Sequence, residues 1–170
     1  MTPSAIPLTV ARPLIRGLII LNALYAVAIS TLLVATLVLP KLLLRALPGL
    51  GGPDAWQLHA ATRTIIVIGL VGAYVTYRVL RELLAIVDTV RDGDSFVAGN
   101  ARRLQAIAWW VLAGEGLELL IGAIASRYAR PLDIHIGFSF APWLAVLLLF
   151  VLARVFDQGT RMRTDLEGTV

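Results

Sequence analysis

Two carboxylates offer the chain's clearest chance of chemistry. Glu115 and Glu118 lie in the run Gly114-Glu115-Gly116-Leu117-Glu118, inside an otherwise apolar stretch. An ionisable side chain inside a membrane costs at least about 2.5–3.5 kcal/mol on insertion scales, so its presence calls for a reason. A spacing of i, i+3 places the two on adjacent sides of one helical stripe, near Gly114, Gly122 and Ser126. Such a pair can bind a proton, an ion or a cationic ligand. Two close carboxylates then share one proton, because both do not ionise cheaply. The alternative is a protonated or hydrogen-bonded pair that locks helix packing, with Asn22 or a tyrosine as partner. The modest strength of hydrogen bonds between membrane helices favours this packing role.

Other chemistry is sparsely provided for. The two histidines, His59 and His135, fall at helix edges near Asp54 and Asp133. That is a common surface pattern, and no metal or haem role is assigned to it. The absence of cysteine removes disulfides, thiolate metal sites and dithiol redox chemistry. The sequence has no P-loop, dinucleotide fingerprint, zincin motif or nucleophile elbow. We therefore expect no catalytic residue, no metal, no cofactor and no enzyme activity. Trp56, Trp109, Trp110 and Trp143 read as aromatic belts at the two membrane interfaces.

The elements that position these residues are long apolar blocks. The chain of 170 residues is 58% hydrophobic with a mean hydropathy of +0.82, and its charges gather between the blocks. This predicts an all-α integral membrane bundle of four transmembrane helices in a single domain over residues 1–170. The helices are expected over about 14–39, 62–91, 101–126 and 136–153, with a polar tail over 154–170. The apolar run Gly17–Leu39 is 23 residues long. A signal-peptide core is about 7–15 residues, so this run reads as a retained first helix. Gly93-Asp94-Ser95 breaks the second helix, and Asn100 is the expected N-cap of the third.

Charge sets the orientation. With four spans and the N-terminus inside, ten arginines fall on the inner side, including Arg12, Arg78, Arg81, Arg102 and Arg154. Five basic residues fall outside: Lys41, Arg45, Arg63, Arg127 and Arg130. The positive-inside rule then puts both termini in the cytoplasm. The same rule explains the net charge of +4 and pI of about 10.1 without direct nucleic-acid binding.

The second helix is longer than the bilayer requires. Leu80, Leu83, Leu84, Val87 and Val90 line one side of its extension, and Arg78, Arg81, Glu82, Asp88 and Asp92 the other. An amphipathic extension must bury its apolar side against headgroups, the chain's own tail or another protein. Leu83, Val87, Gly93, Asp94, Phe96 and Asn100 are therefore the candidate docking residues for a partner.

Two stretches carry a family resemblance: Ile86-Val87-Asp88-Thr89-Val90-Arg91-Asp92-Gly93-Asp94-Ser95-Phe96-Val97 with Asn100 to Leu104, and Leu149 to Phe156 with the closing Asp165-Leu166-Glu167-Gly168-Thr169-Val170. With the four-helix layout, they resemble the YoaS-like family of bacterial membrane proteins of unknown function. Members commonly carry proline where this chain has Ser95, which affects loop stiffness alone. The resemblance implies a bacterial inner-membrane location and no established activity. It also implies a cytoplasmic helix-turn-helix transcription regulator as partner, because genes of the family often lie beside one. Three functions remain open at this stage. They are a non-enzymatic regulatory protein that binds such a partner, a small proton- or cation-coupled transporter built on Glu115 and Glu118, and a structural subunit of a membrane complex. The bilayer is a partner in all three, and a homo-oligomer is compatible with each.

Overall fold

The computed structural model describes residues 5–39, 55–93, 97–128 and 139–167. Four helices account for nearly all of them: α1 (Ala5–Val38), α2 (Ala55–Arg91), α3 (Ala98–Tyr128) and α4 (Phe140–Glu167). There is no strand among the described residues. Each helix contains a segment long and apolar enough to cross a membrane: Val10–Val38, Thr62–Arg91, Ala98–Ile124 and Phe140–Met162. Four such spans point to a multi-pass membrane protein.

Consecutive helices run antiparallel, and their contacts fix the register. Arg12 meets Asp88, Asn22 meets Ala73 and Thr36 meets Arg63 between α1 and α2. Thr89 meets Asn100, Ala85 meets Arg103 and Val75 meets Gly114 between α2 and α3. Trp109 meets Phe150 between α3 and α4. The beginning of α1, the end of α2, the beginning of α3 and the end of α4 therefore lie at one end of the molecule, called here the termini end.

The bundle is open. Helices pack only on their neighbours in sequence, and among the described residues α1 touches neither α3 nor α4. Lipid tails are as apolar as leucine, so no hydrophobic force closes the ring. Nothing in the most apolar stretch of α1 is fully buried. The core instead sits around α2 and the start of α3, at Ile66, Ile68, Ala73, Val75, Leu80, Leu104, Ile107 and Ala108.

Each helix extends past its expected bounds at one end or both. Helix α1 begins at Ala5 and holds Pro13 inside it, although proline there removes one backbone hydrogen bond. Arg12 pairs with Asp88 at 3.0 Å and Ile15 is buried, so the turns around the proline are tied to α2. Helix α4 continues to Glu167, so most of the expected tail is helical. Gly93 closes α2 at φ 89°, a left-handed value that glycine adopts without strain. Asn100 does not cap α3. The helix starts at Ala98, and Asn100 lies in its first turn with its N–H donating to the Val97 carbonyl at 2.8 Å.

Candidate functional site

The carboxylate pair does not form an enclosed site. Glu115 is half-buried, whereas Glu118 is exposed. Neither has a hydrogen bond or ion pair among the described residues. Asn22 does not serve as their partner: its Nδ2 donates to the Ala73 carbonyl on α2 at 2.9 Å. No group of three or more potential metal-ligating side chains occurs among the described residues. Asp54 and His135 lie outside those residues, and His59 lies on α2 where its side chain is not described.

Polar contacts instead act as clasps between helices. Three hold α1 to α2 along its length: Arg12 to Asp88 near the termini end, Asn22 to Ala73 in the middle, and Arg63 Nη2 to the Thr36 carbonyl at 2.8 Å near the other end. In the sequence Arg63 stands only among the five basic residues expected on the outer side. Its use as a cap for the last carbonyls of α1 has a physical cause, since those carbonyls lack partners inside their own helix.

A fourth clasp fixes the hairpin of α2 and α3. Asn100 is completely buried, and its Oδ1 accepts hydrogen bonds from Thr89 Oγ1 and Arg103 Nη1, both at 2.9 Å. Arg103 also reaches the Ala85 carbonyl at 3.4 Å. Asn100 is thus committed within the chain and is not available to a partner.

The remaining docking candidates divide. Leu83 is 39% exposed, Val87 is half-buried, and Gly93 sits in the exposed turn. Asp94 and Phe96 lie outside the described residues. The α2 extension is not a free-standing amphipathic helix, because Arg12 on α1 and Asn100 and Arg103 on α3 hold it on two sides. A surface missed in the sequence lies on α4: Val155 is 52% and Met162 62% exposed, seven residues apart on one side of the helix. Leu144, Leu148 and Val151 begin the same stripe deeper in the span. Their spacing carries the signal, but Val155 and Met162 fall in the polar tail expected over 154–170.

Aromatic residues cluster where the apolar spans give way to charge. Trp110 meets Tyr74 edge-on at 5.8 Å, and the Arg78 guanidinium lies 5.3 Å from the Trp110 ring centre. Trp109 meets Phe150 at 5.4 Å. These contacts fit the expected belt on this side while also joining neighbouring helices.

The family described as protein of unknown function DUF2975 matches residues 52–170. The chain belongs to this family. The DUF2975 match covers α2, α3 and α4, the serial core with its hairpin clasp, and leaves α1 outside it. Membership in DUF2975 brings no activity with it. No curated protein and no solved structure matches the chain significantly.

Proposed function

We propose that this DUF2975 chain is a non-enzymatic regulatory protein of the bacterial inner membrane that docks a soluble partner at its termini end, on the cytoplasmic side. The observation that carries this reading is the exposed apolar surface beyond the bilayer. From Arg63 to Arg91 α2 spans about 42 Å, against about 30 Å of hydrocarbon, and the charge balance assigns the excess to the cytoplasm. Beyond Arg78 of α2 and Arg154 of α4, Leu83, Val155 and Met162 remain exposed. Apolar side chains with charged chain neighbours such as Arg81, Arg154 and Arg161 suit a contact with an apolar centre and a polar rim. The partner class, a helix-turn-helix transcription regulator, is supported by the family resemblance of the sequence.

The test is recovery of that partner from native membranes with the full chain as bait. Burying one such side chain is worth about 1.5–3 kcal/mol, so changing two should weaken docking by more than about tenfold. We expect wild type to recover a soluble helix-turn-helix protein, and the double variant Leu83→Ser, Met162→Ser to insert normally but recover far less of it. Recovery of no such protein by wild type, or equal recovery by the variant, would contradict the proposal.

A further inference from the structure

One face of α2 carries a pattern that docking of a soluble partner does not use. Val67, Val71, Tyr74, Arg78 and Arg81 follow one another at spacings of four and three residues, so they form a single stripe. Val67 is 47%, Val71 45% and Tyr74 52% exposed. The stripe is an apolar track that ends in two arginines, beside Trp110 of α3.

Both arginines are held against aromatic rings; Arg81 has no acidic partner among the described residues, and Arg78 has one loosely placed partner. Arg78 lies against Trp110 and Arg81 lies 5.8 Å from the Tyr77 ring centre. A guanidinium held against an aromatic face keeps its in-plane N–H groups for an anion. Arg78 Nη2 forms an ion pair with Glu82 Oε1 at 3.8 Å, longer than a hydrogen bond. Arg81 has no ion pair among the described residues. The Arg78 Nε is buried and finds no acceptor among them.

We propose that this stripe is a binding site for one anionic phospholipid. An acyl chain lies along Val67, Val71 and Tyr74, and the phosphodiester accepts hydrogen bonds from Arg78 and Arg81. Charge selects the lipid: two cations with one loosely placed acid leave a positive site, which a headgroup of net negative charge complements better than a zwitterionic one. Basic pockets between membrane helices recognise anionic headgroups on the same principle.

The test uses the full-length protein in detergent. Dioleoylphosphatidylglycerol, dioleoylphosphatidylcholine and inorganic phosphate are titrated separately, with thermal stabilisation and lipid retention in native mass spectra as readouts. We expect the phosphatidylglycerol to stabilise and remain bound, and the other two to do neither. Arg81→Gln should weaken its binding about fivefold, and the double variant with Arg78→Gln about 30-fold, from the usual contribution of an arginine near an anionic surface. Because Arg81 is exposed, the single variant keeps the test valid if the double variant fails to fold. Arg102→Gln, on an exposed position of α3, should bind within about twofold of wild type. Equal stabilisation by phosphatidylcholine or by phosphate, or unchanged binding by Arg81→Gln, would overturn the site.

Discussion

Replacing Asn100 with alanine is expected to destabilise the α2–α3 hairpin by about 1–3 kcal/mol, the usual cost of deleting one side of a buried hydrogen-bonding network. Its side chain is wholly enclosed, and Oδ1 serves both Thr89 and Arg103. The Arg103 bond is charge-assisted and so the stronger of the two. Thr89 has one hydroxyl hydrogen and a second acceptor in the Ile86 carbonyl at 2.8 Å. Thr89→Val should therefore cost less, about 0.5–1.5 kcal/mol. Asn100→Asp retains the acceptor and places a carboxylate against Arg103, so it should lose less than the alanine variant. Thermal unfolding in detergent measures the order. An alanine variant as stable as wild type would show that the hairpin is held by apolar packing alone.

Gly69→Leu is expected to detach α1 from α2, while Gly69→Ala is tolerated. A Cβ built at Gly69 would lie 3.4 Å from Ile29 Cδ1 and 3.8 Å from the Tyr25 hydroxyl, which is ordinary contact. Three further carbons would run into Ile29 and Tyr25 of α1, and overpacking of this kind costs about 1–3 kcal/mol. Among the described residues α1 packs on no helix but α2, so that cost falls on this contact. A disulfide between cysteines introduced by Asn22→Cys and Ala73→Cys reports the contact. It should form readily in the Gly69→Ala background and poorly with Gly69→Leu. Equal cross-linking in both would show that α1 is held elsewhere.

Four spans and the break after Arg91 were legible in the sequence, because apolar runs bounded by charge mark the hydrocarbon and Gly93 marks a left-handed turn. The helix ends were less legible. Hydropathy records where lipid stops, whereas the hydrogen bonds within a helix need no lipid and can continue into water. For this reason α4 runs past Arg154 to Glu167, and α1 runs through Pro13 back to Ala5. The same limit applies to the polar residues. The sequence offers Asn22 as a partner for the carboxylates and Asn100 as an N-cap, whereas their actual partners, the Ala73 carbonyl and the pair of Thr89 and Arg103, depend on register between helices. Residue spacing within one helix cannot supply that register. Glu115 and Glu118 stood out by type, yet the openness of the bundle leaves Glu118 exposed rather than enclosed with its neighbour.

Everything proposed about a partner depends on which side of the membrane the termini end faces. The chain contains no cysteine, so a single introduced one reports its own surroundings. Leu39, 51% exposed, lies at the end opposite the termini, while Met162, 62% exposed, and the exposed Asp92 lie at the termini end. Spheroplasts carrying Leu39→Cys, Asp92→Cys or Met162→Cys can be treated with a membrane-impermeant maleimide before and after permeabilisation. A cytoplasmic termini end predicts that Leu39→Cys is labelled in intact spheroplasts, and that Asp92→Cys and Met162→Cys are labelled only after permeabilisation. Labelling of Met162→Cys in intact spheroplasts, with Leu39→Cys protected, would place the docking surface outside the cell and contradict the proposal.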